Sequence, residues 1–288
     1  MSKSLTHIAV IGAGQFGSRH IQALKKMDRK VSISVIDPNF CSLELAKKRY
    51  DEMSPNLLIE SINFSRKLDT LQDDLDVAIF ATNSDVRKSV IENILSLVVV
   101  KYMILEKVAF QSITNFQSVI GLLESKNVLA WVNCPRRMYP FFKMLKVELA
   151  TEDRIQLKVE GGNWNLASNT IHMLDLFAFL TGQTRLSINP TGLNVKVYKS
   201  KRKDLIELAG KLDVVNPRGD RMTLISKKNS TEQVTLTIKT KHHKYKLYLL
   251  DGKVYSSHHE GRWKVAEGSF KMPLQSELTH LTVQEDSR

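Results

Sequence analysis

An α/β chain is predicted, with a doubly wound parallel sheet first and, after it, an α+β domain carrying a mostly antiparallel open sheet. Three observations predict it. Near-continuous apolar runs alternate with helix-compatible stretches through the first half, a glycine cluster follows the first of those runs, and from about Ser187 polar and apolar residues alternate between turn signals.

The runs His7–Ile11, Val31–Ile36, Val77–Ala81 and Val98–Leu105 read as parallel strands buried on both faces. Val128–Asn133 reads as the last strand of that sheet. Between them Gln15–Lys26, Ser42–Tyr50, Ser84–Ser96 and Ser112–Lys126 carry helical periodicity, with Ser84 and Ser112 placed to cap their helices. Cys134-Pro135 breaks the pattern, so the expected domains are residues 1–134 and 135–288. In the second, helices are expected at Tyr139–Ala150 and Asn169–Leu180. Half-buried strands are expected at Leu193–Tyr198, Leu205–Leu212, Thr235–Lys239, Tyr245–Leu250 and Lys253–Tyr255. Turn signals separate them at Asn189-Pro190, Asn216–Asp220 and Asp251-Gly252, the last a hairpin dipeptide.

Composition narrows the class. At 288 residues the chain suits two domains, and 42% apolar with 25% charged residues is globular usage, which excludes disorder and fibrous repeats. Leu95–Val100 and Val128–Val132 fall far short of the ~18–20 apolar residues of a membrane helix, so no membrane partner is expected. Met1–Ser4 runs almost directly into a strand without a signal-peptide core, and the expectation is a cytoplasmic protein. Cys41 and Cys134 have no C-x-x-C spacing and propose neither zinc nor a disulfide framework. His242-His243 and His258-His259 would point to opposite faces of a strand, so no metal is expected. The net charge of +12, with clusters at Lys199–Lys203 and Lys239–Lys246, reads either as steering of anionic partners, nucleic acid or phosphorylated small molecules, or as a solvated surface. No nucleic-acid motif accompanies it, and no nucleic-acid partner is expected.

Gly12, Gly14, Gln15, Phe16 and Gly17 lie within a G-x-G-x-x-G that follows a strand and opens a helix, the context in which the pattern signals a dinucleotide. The first glycine allows the turn, the second lets a pyrophosphate approach, and the third lets helix and strand pack. Asp37, 20 residues beyond Gly17 at the end of the second strand, would accept hydrogen bonds from the ribose hydroxyls and repel a 2′-phosphate. NAD is therefore expected over NADP. Thr82 and Asn83, just after the Val77–Ala81 strand, and Glu106 and Lys107, after the next, belong to the same crevice at the strands' carboxyl ends. Position alone leaves Lys107 equally readable as a surface lysine.

With Glu106-Lys107 and the glycine loop together, the chain resembles the glucose–fructose oxidoreductase / inositol dehydrogenase (Gfo/Idh/MocA) family over nearly its whole length. The resemblance implies an N-terminal Rossmann domain, an E-K-P loop and a C-terminal α/β domain. Asn133–Pro140 is similar to the family's crossover segment, and Gly161-Gly162 through Asp175 to the segment that carries its catalytic histidine. The match implies Lys107 and His172 as catalytic residues. The chain departs from the family at Val108 (family proline), Ser168 (family aspartate) and Arg87 (often histidine). Trp164–His172 is similar to branches associated with bacterial surface-polysaccharide or amino-sugar pathways.

The chemistry implied is hydride transfer between the nicotinamide and a secondary alcohol of a sugar, with His172 moving the proton and Lys107 steadying the oxygen. Arg136 and Arg137 favour a substrate bearing phosphate or a nucleotide. Asn169 and Asp175 are candidate substrate contacts, although Asp175 reads equally as a partner of either arginine. Tyr139 and Trp164 either line a sugar pocket or are core aromatics. An open sheet needs cover, so a homodimer or homotetramer is expected. The competing reading, motivated by Ser168 and Val108, is an NAD- or ligand-binding regulator without turnover.

Overall fold

The computed structural model describes residues 5–71, 74–200, 205–250, 252–257 and 264–265. Contacts divide them into two compact units, one ending at Asn133 and one beginning at Cys134.

The first unit runs β1 (Thr6–Ile11), α1 (Gly17–Leu24), β2 (Val31–Ile36), α2 (Phe40–Asp51), β3 (Ile59–Ser65), β4 (Leu75–Phe80), α3 (Arg87–Leu97), β5 (Val100–Leu105), α4 (Ile113–Ser125) and β6 (Leu129–Val132). Its six strands are parallel, in the order β3-β2-β1-β4-β5-β6. Successive side chains of β1 enter opposite cores, as the two-residue strand period requires: Ile8 and Val10 join Ile21, Leu24 and Ile33, while Ala9 and Ile11 join Phe80, Ile91 and Met103. The chain leaves β1 toward β2 on one side and enters β4 on the other, so the strand order switches there. That is where an open α/β sheet takes its ligand.

Ser112 caps α4, accepting the Asn115 N–H at 3.1 Å, as its position suggested. Ser84 does not cap α3, which starts at Arg87 after Val86. α1 begins at Gly17, later than its periodicity implied. β3 was not anticipated; it is an edge strand with half-exposed side chains and so lacks an apolar run.

The second unit contains α5 (Pro140–Glu148), β7 (Gln156–Gly162), α6 (Leu166–Thr181), β8 (Ser187–Asn189), β9 (Tyr198–Lys199), β10 (Ile206–Glu207), β11 (Gly210–Val215), β12 (Arg221–Lys227), β13 (Thr235–Lys239), β14 (Lys244–Tyr248), β15 (Lys253–Ser257) and β16 (Lys264–Val265). Eight strands form one sheet, β16-β15-β14-β13-β7-β12-β11-β8, antiparallel except where β12 runs beside β7. Two expectations fail here. Leu193–Tyr198 is irregular up to the two-residue β9, and Leu205–Leu212 divides at Gly210, whose φ of +108° breaks the strand. β7 and β12 went unread although Leu157, Val159, Met222 and Leu224 alternate inward. Asp251 and His258-His259 lie outside the described residues.

Candidate functional site: a dinucleotide crevice

Gly12 ends β1 with φ +95°, and a Cβ there would sit 2.8 Å from the Ala81 carbonyl carbon and from the Thr82 nitrogen. At Gly17 a Cβ would meet the Gly12 carbonyl oxygen at 1.7 Å, so only glycine lets α1 pack this closely on the loop. Above Gly14 the space is open, with no atom within 4 Å of a built Cβ. Asp37 is fixed at the same place: Ala13 N–H donates to its Oδ2 at 2.7 Å and Asn39 N–H to its Oδ1 at 2.8 Å. Gln15 is tied to α2 by Arg49, which donates to the Gln15 Oε1 at 2.7 Å and to the Ser18 Oγ at 2.6 Å. Phe16 precedes the first turn of α1, and Asn83 is exposed beside Thr82. The Thr82 Oγ1 is buried with no hydrogen-bond partner.

Glu106, expected to touch cofactor, instead turns inward. Its Oε1 accepts from His20 Nε2 at 2.8 Å and Asn133 Nδ2 at 2.7 Å. Burial pushes this carboxyl up, but the hydrogen bond and charge of His20, with help from Asn133 and Lys107, outweigh it and hold the group below its ordinary value. The half-buried Lys107 follows it directly, and the Lys107–Val108 peptide bond is cis. His20, Arg49 and Asn133 had no signal in local spacing, because each acts on a residue far away in the chain.

In the second unit His172 lies half-buried in the second turn of α6. Glu207 receives the first N–H groups of that helix, from Ala167 at 3.1 Å and Ser168 at 3.4 Å. Several expected substrate contacts bind one another instead. Arg137 grips Asp175 with both arms of its guanidinium, Nε reaching Oδ2 at 2.9 Å and Nη2 reaching Oδ1. The indole of Trp164 is buried and donates to the Ile225 carbonyl at 2.8 Å, and the Asn169 amide donates to the Trp164 carbonyl at 2.8 Å. Tyr139 is a core residue stacked on Phe142, its phenol pushed up to about 12 by burial against the opposing pull of Arg136. Arg136 is half-buried, its pKa lowered by burial, with no hydrogen bond on Nε.

His242 and His243 do not diverge as strand neighbours would. They sit in the turn between β13 and β14 and both face Glu152, at 3.2 and 3.6 Å. Among the described residues no group of three His, Cys, Asp or Glu could hold a metal, and no helix is long and apolar enough to cross a membrane.

Residues 6–134 match the family model described as an oxidoreductase family with an NAD-binding Rossmann fold, GFO_IDH_MocA. The match lies within the first unit, and it is this domain that carries the likeness to the Gfo/Idh/MocA family. A search of the curated proteins found no match. Among solved structures the chain is similar in fold to the transcriptional regulator Gal80p from Kluyveromyces lactis (13% identity, TM-score 0.72, covering all of this chain and 84% of that one). It is similar also to the UDP-N-acetylglucosamine 3-dehydrogenase GnnA from Acidithiobacillus ferrooxidans (16%, 0.70, 99% and 90%). A third is myo-inositol dehydrogenase from Lactobacillus casei in complex with NAD(H) and myo-inositol (17%, 0.69, 98% and 85%). The crevice of the first unit fits a dinucleotide on its own geometry. The close-packed glycines, the open approach at Gly14, the fixed Asp37 and the partnerless Thr82 hydroxyl are what such a ligand needs.

Proposed function

We propose that the protein is an NAD-dependent oxidoreductase acting on a secondary alcohol of a sugar, a sugar phosphate or a nucleotide sugar. The observation that carries this is the glycine crevice with Asp37 at its rim, in a domain that matches an oxidoreductase family. Gly12, Gly14 and Gly17 would receive the pyrophosphate, Asp37 the adenosine ribose, and Thr82 and Asn83 the remainder. When bound, NAD supplies a hydride acceptor at its nicotinamide ring. His172 would take the proton of the substrate hydroxyl, since an imidazole suits proton transfer near neutral pH, and the Lys107 ammonium would offset negative charge as it develops. Because Arg137 is engaged by Asp175, Arg136 is the better candidate for an anionic group on the substrate. The nucleotide-sugar class is supported by the likeness to GnnA, and membership of a surface-polysaccharide or amino-sugar pathway follows from the same class.

Turnover of a panel of sugars, sugar phosphates and nucleotide sugars with NAD tests this. Lys107→Ala and His172→Ala should each lower turnover roughly 10²–10⁴-fold and leave NAD affinity within a few fold. Full activity in both variants would remove the assignment.

A second reading has its own observation. With Ser168 in place of an acid and Asp175 held by Arg137, the segment around His172 lacks an available carboxylate among these positions, and one fold neighbour is a transcriptional regulator. NAD binding without turnover of any panel member would favour this regulator reading.

A further inference from the structure

We infer that Arg87 is the positioning residue of the crevice, supplying from outside the loop the stiffness that the family's proline at position 108 supplies from within; the inference rests on the dinucleotide-binding reading above. Arg87 is the first residue of α3, and its side chain is among the largest that are fully buried. Its Nη1 donates to the carbonyls of Glu106, Val108 (2.8 Å) and Ala109 (2.9 Å), and its Nη2 donates to the carbonyl of Thr82. One guanidinium therefore joins the loop after β4 to the loop after β5, the neighbouring strands of the switch-point crevice.

A buried cation is tolerated when its charge is solvated by the protein, and here backbone carbonyls accept from both terminal nitrogens of the guanidinium. The geometry needs two terminal nitrogens held in a rigid, planar fork; a histidine, with two ring nitrogens, cannot serve four carbonyls on two loops. Lys107 stands between two anchored neighbours. Glu106 is held by its carboxylate through His20 and Asn133 and by its carbonyl through Arg87, and Val108 is held by its carbonyl. Proline would restrict φ at 108 through its ring, which Val108 cannot do. The two departures from the family pattern, Arg87 and Val108, are thus coupled: the clamp is needed because the ring is missing.

The test uses the full chain with two readouts, amide hydrogen exchange of the cofactor-free protein and NADH titration by fluorescence. Arg87→Met should raise exchange in the segments 81–84 and 106–110 while leaving 6–11 unchanged. It should weaken NADH binding roughly tenfold, the result of the competent loop arrangement falling to about a tenth of the population. Arg87→His should do the same, and adding Val108→Pro to it should restore most of the affinity. That rescue is not expected of a residue that serves stability alone. Should Arg87→Met fail to fold, Arg87→Lys, which keeps the charge but loses the fork, should show the same changes at smaller size. If the wild-type protein does not bind NADH, the dinucleotide reading falls and the exchange data alone judge the clamp. Unchanged exchange in both loops of a folded variant, or effects of Arg87→His and Val108→Pro that merely add, would overturn the inference.

Discussion

Asp37 shows how one residue sets the character of the crevice. Its two oxygens are pinned by the Ala13 and Asn39 N–H groups, so a full negative charge is fixed beside the glycine loop. Ribose hydroxyls can donate to it; a 2′-phosphate can only repel it. Two like charges ~4 Å apart cost between ~1 and ~4 kcal/mol at the dielectric of water and of a protein surface, and a tenfold preference, which takes about 1.4 kcal/mol, falls within that range. NAD(H) should bind at least tenfold more tightly than NADP(H) by isothermal titration, and Asp37→Ser should bring the two affinities together. Equal affinities in the wild-type protein would place Asp37 away from the ribose. The roles of Gly12, Gly17 and Asp37 could be read from spacing because their chemistry is local to the end of one strand. Glu106 could not be read this way, because its partner His20 is 86 residues away and nothing beside Glu106 announces it.

At the scale of elements, a turn adds to the parallel ladder that holds β7 beside β12. The carboxylate of Asp220 accepts Ile155 N–H at 2.7 Å, the Asn216 amide at 2.7 Å and the Arg218 guanidinium at 2.8 Å, fastening the loop before β12 to the start of β7. Burial pushes this carboxyl up, but the hydrogen bonds from Arg218, Asn216 and Ile155 outweigh it, so its folded value lies below its unfolded one. A depressed carboxyl contributes stability that is complete above the unfolded value near ~3.9 and is lost as pH falls through the folded value. Asp220→Asn should lower stability at neutral pH by about 1–3 kcal/mol and flatten the loss as pH falls below about 4. Thermal melts across that range decide it, since parallel curves for the two proteins would exclude Asp220 as the acid-sensitive group. The sequence did mark Asn216–Asp220 as a turn; which strands the turn fastens was not visible, since Ile155 is 65 residues away.

For the whole molecule the open sheet of the second unit raises the question of assembly. Its strands bury Leu157, Val159, Leu224, Leu236 and Ile238 on one face. The other face carries a row in register across five strands, Asp213, Thr223, Lys158, Thr237 and Lys246, with Tyr248 and Tyr255 edge to face at 5.8 Å nearby. A second copy is the occupant proposed for this face, with the tyrosines as anchors and the polar groups as a rim. Light scattering at micromolar concentration should give a dimer or tetramer. A monomer at that concentration would remove the proposal.

The sequence by itself determined the alternation of strands and helices, the glycine loop with its carboxylate, and the change of texture between the two halves. Each is a matter of period or of short spacing, and backbone geometry translates such patterns directly. Only the tertiary structure decided which polar side chains are available to a ligand. Asp175 and Arg137 became an ion pair, Trp164 and Tyr139 became core, and Glu106 and Arg87 became the supports of Lys107. A buried polar group must find a partner wherever the fold brings one, and sequence distance places no limit on where that is.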